Sequence, residues 1–175
     1  MTPLASHLTA FLREHLEHER ACSTHTCETY AYAFQLLLSF AAERCGCAPS
    51  ALALEQIDSV LVLAFLEHLE TVRHNSTRTR NARLAAIKSF AHFLEYRVPS
   101  ALEQMRRILA IPLKKGDQAL INYLDRPELQ ALLDAPDPTT RQGVRDRAML
   151  HVAFAAGLRV SELVGLRIED LQTHP

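Results

Sequence analysis

The chain has 175 residues, 48% of them apolar and 22% charged, with 19 Lys and Arg against 20 Asp and Glu. That composition excludes wholesale disorder, and five Gly with eight Pro exclude collagen-like and linker-dominated chains. The longest apolar run, Val60 to Leu66, is far too short for a membrane span, and MTPLASHLTAFLREH acquires charge before a signal-type core forms. The sequence predicts a cytoplasmic protein with no membrane partner.

Helical periodicity dominates, and no alternating run is long enough for a sheet, so the fold class expected is all-α. A first helix is predicted over about Leu4 to Arg20. Ser23-Thr24-His25-Thr26 offers N-caps for a second, reaching about Arg44, in which Tyr30, Phe34, Leu37, Leu38 and Ala41 form one apolar stripe. Gly46 and Pro49 end it. A third helix runs from about Glu55 to Val72, and Asn75-Ser76-Thr77 caps a fourth, Thr77 to Arg97, stopped by Pro99. A short fifth covers Ala101 to Ala110.

Ile111-Pro112-Leu113-Lys114-Lys115-Gly116 reads as an interdomain linker. Beyond it, Asp125 precedes Pro127 as the cap of a helix ending near Asp134. Pro136 and Pro138 mark a loop. Further helices are predicted over about Gln142 to Ala156, ended by Gly157, and over about Val160 to Leu166.

Cys22, Cys27, Cys45 and Cys47 have the right ligand chemistry for zinc, alone or with His25. Neither pair has the two-residue spacing of a zinc knuckle, so they are read as thiols and no metal is expected.

Charge gives the first functional clue. Residues 73–116 hold 10 basic and 2 acidic side chains, so the near-neutral total hides a basic middle that would attract a polyanion. On the fourth helix, Leu84, Ile87, Ala91 and Leu94 share one face, and Arg78, Asn81, Ala85, Lys88 and His92 share another. Cations for phosphate or guanine, an amide for adenine and a small residue for close approach suit a helix lying in a DNA major groove. The same stripe would also suit a solvated amphipathic helix.

Arg145-Asp146-Arg147-Ala148-Met149-Leu150, followed by Gly157-Leu158-Arg159-Val160-Ser161-Glu162-Leu163, resembles the tyrosine site-specific recombinases of the phage integrase family, with Xer-type members most similar. Thr26 to Phe40 and Thr77 to Leu94 (within it N-A-R-L-A-A-I-K-S-F) resemble that family's core-binding domain. The resemblance implies a helical-bundle, SAM-like core-binding domain at 1–112, a linker at 113–119, and the opening of a catalytic domain at 120–175. It implies double-stranded DNA as partner, with other recombinase protomers on that DNA, and DNA integration and recombination as the process. No cofactor is implied.

The resemblance makes Arg159 the catalytic arginine. Gly157 permits a sharp turn, and a guanidinium placed there can hold two non-bridging oxygens of one phosphate, with Glu162 one turn on as its support. A plain Arg–Glu pair stapling two helices is the alternative. The residues expected to face DNA are Thr26, Thr77, Arg78, Arg80, Asn81, Arg83, Lys88, Lys114 and Lys115.

An active family member also supplies a β-hairpin Lys, a His-x-x-Arg motif, a further His or Trp and a C-terminal Tyr. Here Tyr30, Tyr32, Tyr96 and Tyr123 all precede Arg159. The sequence therefore reads as a truncated integrase, inactive by itself. A non-catalytic occupant of recombination sites and a helical protein–protein adaptor are the rival readings.

Overall fold

The computed structural model describes residues 2–116 and 123–170, and among these the structure is almost wholly helical. The one extended pairing is an isolated antiparallel bridge between Pro3 and Ala53. Two compact units divide the chain, Met1–Gln118 and Ala119–Pro175.

In the first unit, α1 (Leu4–Thr9) continues as a π-helix over Ala10–Glu19. The sequence predicted an ordinary α-helix throughout. The reason for the wider winding lies in the spacing of the core residues. Phe11 and Leu16 are five apart and both wholly buried, and i→i+5 hydrogen bonding brings residues at that spacing toward one face.

Helix α2 (Thr24–Cys45) starts at Ser23, whose hydroxyl accepts from the Thr26 N–H, and ends at Gly46 with φ +63°. Two 3₁₀ turns follow, Pro49–Ala51 and Leu54–Gln56. The third helix starts later than predicted: α3 covers Ser59–Thr71, because the Asp58 carboxylate caps it by accepting from Leu61 N–H at 2.7 Å. Helix α4 (Thr77–Arg97) is capped by Ser76, and α5 covers Leu102–Leu109 behind a 3₁₀ turn, Pro99–Ala101.

These helices close on one apolar core. Phe11 meets Phe34, Phe90 and Phe93 at centroid distances of 5.8, 5.2 and 5.3 Å, mostly edge-on, as aromatic quadrupoles favour. Leu37, Phe65, Leu69, Leu84, Leu94 and Ile108 fill the rest. Gln104 on α5 donates to the carbonyls of Leu54 and Ile57, tying the 3₁₀ turn to the bundle. Cys22, Cys27 and Cys47 are half-buried, Cys45 exposed.

Residues 111–116 are not a free tether. Ile111 is buried with the core, and Pro112 and Lys114 are hydrogen-bonded to α4. The rest of the predicted linker, 117–119, lies outside the described residues.

In the second unit, α6 (Arg126–Asp134) opens with a capping box: Asp125 accepts from Glu128 N–H at 2.8 Å and Glu128 from Asp125 N–H at 2.9 Å. Thr140 caps α7 (Arg141–Ala156), where a Cβ on buried Gly143 would collide with the Asp137 carbonyl. Arg147 pairs with Asp134 across α6 and α7. Gly157, at φ +63°, turns the chain into α8 (Val160–Gly165).

Candidate nucleic-acid interface

One face of α4 is committed to the core through Leu84, Ile87, Ala91 and Leu94. The opposite face carries exposed Arg78, Ala82, Ala85 and His92, with Lys88 half-buried among them. Arg78 and Lys88 make no ion pair among the described residues, and Ala82 and Ala85 keep the helix backbone approachable between them. His92 is paired with Glu95 at 2.9 Å.

The π-helical segment forms a second wall beside this face. Arg20 joins Lys88, His92, Tyr96 and Arg97 along an open groove, with Tyr96 91% exposed. At its floor, Glu19 accepts from His15 and, at 3.1 Å, from Arg97, whose guanidinium lies 4.0 Å from the centre of the Phe93 ring. The His15 bond, then that of Arg97, holds the Glu19 carboxyl below its ordinary range. Sequence reading missed Arg20, Tyr96 and Arg97, because their nearness to Lys88 arises only when residues 10–20 dock on α4.

Several residues expected to face DNA make contacts within the protein. Arg80 is 6% exposed, and its Nη1 donates to Asn81 Oδ1 and to the Pro112 carbonyl. Asn81 spends both ends of its amide on Lys114: Nδ2 donates to the Lys114 carbonyl at 2.7 Å, and Oδ1 accepts the Lys114 N–H at 3.1 Å. In this structure both side chains make bonds to the 112–114 backbone, alongside the DNA contact expected of them. Half-buried Arg83 donates to the Thr29 carbonyl and lies 4.8 Å from the centre of the Tyr32 ring, bracing α2 against α4. The Lys114 ammonium binds both Glu70 carboxylate oxygens at 2.9 Å. Thr26 and Thr77 sit half-buried in first helical turns, while Lys115 is exposed. The cations of the predicted set without a protein partner among the described residues are Arg78, Lys88 and Lys115.

The second unit presents a different feature. Arg159 follows the Gly157 turn and stands at the N-cap of α8, its side chain 83% exposed. Its Nη1 donates to Glu162 Oε1 at 3.1 Å, and its backbone N–H donates to Glu162 Oε2 at 2.8 Å. A single carboxylate therefore orients both the main chain and the guanidinium. The other guanidinium N–H groups have no protein acceptor among the described residues, a geometry able to receive an oxyanion.

Residues 8–97, just over half of the chain, match the phage integrase N-terminal SAM-like domain, and residues 122–174 match the phage integrase family. The chain is 45% identical to the integrase/recombinase y4rC of Sinorhizobium fredii (strain NBRC 101917 / NGR234), over 96% of this chain and 51% of that protein. It is 41% identical to y4rD of the same organism, over 98% of this chain and 62% of the relative. It is 37% identical to the tyrosine recombinase XerC of Pelobacter propionicus (strain DSM 2379 / NBRC 103807 / OttBd1), over 98% and 54% respectively. The chain thus spans between about half and three-fifths of the length of these relatives. No solved structure gives a significant match. The chain belongs to the phage integrase family of tyrosine recombinases.

Proposed function

We propose that this chain grips duplex DNA and offers Arg159 to the phosphate at which a tyrosine recombinase breaks and rejoins a strand. The first unit supplies the grip through Arg78, Lys88 and Lys115, whose cations neutralise backbone phosphates and release counterions. The second unit supplies Arg159, with Glu162 as its support. In the reaction, a tyrosine hydroxyl attacks phosphorus and the 5′ oxygen leaves, so the phosphodiester is exchanged for a phosphotyrosyl bond of similar energy. Charge accumulates on the non-bridging oxygens, and a guanidinium already held in place stabilises it without having to reorganise. The family pattern puts the attacking tyrosine downstream of the arginine motif.

The observation that carries this reading is the exposed Arg159 guanidinium, fixed by Glu162 on a glycine turn. The test joins a family C-terminal segment after Pro175 and incubates the protein with a nicked suicide substrate. Denaturing electrophoresis should show a covalent protein–DNA adduct, reduced roughly 10²–10³-fold by Arg159→Ala. An adduct that forms equally well without Arg159 contradicts the assignment. The 175-residue chain alone should bind DNA without forming an adduct, since Tyr30 and Tyr32 lie on α2, Tyr96 near the end of α4 and Tyr123 just ahead of α6.

A further inference from the structure

Residues 112–116 run as a strap along α4, held by side chains from two helices. Asn81 pairs with the peptide of Lys114 as a neighbouring strand would, donating to its carbonyl and accepting its N–H. Arg80 sets which way the Asn81 amide faces: its Nη1 donates to Oδ1, so Nδ2 must point at the Lys114 carbonyl. The same Nη1 holds the Pro112 carbonyl at 3.3 Å, and Glu70 on α3 binds the Lys114 ammonium. Beyond these contacts, Gly116 lies against the Thr77 side chain and closes a concavity with Ser76, Thr77, Arg78 and Asn81.

We infer that Asn81, oriented by Arg80, is a positioning residue that clips the strap to α4, so that Lys115 and Arg78 grip DNA phosphates as one unit. The inference rests on the DNA-binding reading above. Its chemistry is specific. An alanine at position 81 offers neither bond. An aspartate keeps the acceptor for both Lys114 N–H and Arg80 but loses the donor to the Lys114 carbonyl. Clipped, Lys115 keeps a fixed place beside the N-terminal turn of α4. Unclipped, the entropic cost of ordering it outweighs the contact, so it neutralises no phosphate.

Two measurements on the full chain test this. In amide exchange, Asn81→Ala should make the Lys114 N–H exchange at least about tenfold faster while Leu84 and Ile87 keep their protection; Asn81→Asp should retain the Lys114 protection. In duplex binding against salt, Lys115→Ala should lower the log–log slope by about one in the parent and leave it unchanged in Asn81→Ala. Unaltered Lys114 protection in Asn81→Ala, or a Lys115→Ala effect equal in both backgrounds, overturns the clip while leaving DNA binding intact. A parent chain that does not bind duplex DNA overturns the functional reading itself, whatever the exchange data show.

Discussion

Arg159→Ala separates a phosphate-holding arginine from a structural staple. The side chains of Arg159 and Glu162 are 83% and 47% exposed and meet at 3.1 Å, and exposed ion pairs contribute only about 0–1 kcal/mol. The second bond in the motif, from Arg159 N–H to Glu162 Oε2, is a main-chain interaction that the substitution leaves intact. Arg159→Ala should therefore cost less than about 1 kcal/mol, whereas Glu162→Ala, which leaves the N–H uncapped, should cost about 1–2 kcal/mol. The order reverses in chemistry, where removing Arg159 should be the more severe defect. Amide exchange across α7 and α8 measures the stability, because it reports on the second unit separately. A cost of about 3 kcal/mol or more for Arg159→Ala would refute the reasoning and make the residue a staple.

Other substitutions probe the first unit. Phe11→Ala removes a wholly buried ring packed against Phe34, Phe90 and Phe93, so it should cost about 3–5 kcal/mol; urea unfolding followed by far-UV circular dichroism measures this, and a destabilisation below about 1 kcal/mol contradicts the core assignment. Glu19 is held below its ordinary range by His15 and Arg97, so its contribution is present above the unfolded value of about 4.3 and lost as pH falls through the lower folded value. Melting temperature should fall on acidification through that window, and Glu19→Gln should make the fall shallower; an identical profile in the variant would show that these bonds contribute nothing.

Local signals carried much of the fold. Ser76 and the apolar stripe of Leu84, Ile87, Ala91 and Leu94 mark α4 at the residues it occupies, Thr77–Arg97. Asp125 and Gly157 likewise mark a helix start and a helix end, because caps and left-handed turns are chosen by residues within one turn. The π-helical stretch was hidden, since a five-residue gap between Phe11 and Leu16 fits no α-helical stripe. The bonds of Arg80 and Asn81 to the 112–114 backbone were hidden for a different reason. A helical wheel assigns a residue to a face but does not show what covers that face, and here the cover is a strap 32 or 33 residues further along. The pairing of Arg159 with Glu162 was legible because the turn, the helix and the carboxylate all fall within six residues, Gly157 to Glu162.

Duplex binding by the full 175-residue chain over a series of salt concentrations tests the central claim most directly. The account predicts that log K falls linearly with log salt and that replacing Arg78 and Lys88 together with Ala reduces the slope by about two, one for each phosphate that is no longer neutralised. An unchanged slope, or binding indifferent to salt, would contradict the assignment of the outward face of α4 to DNA.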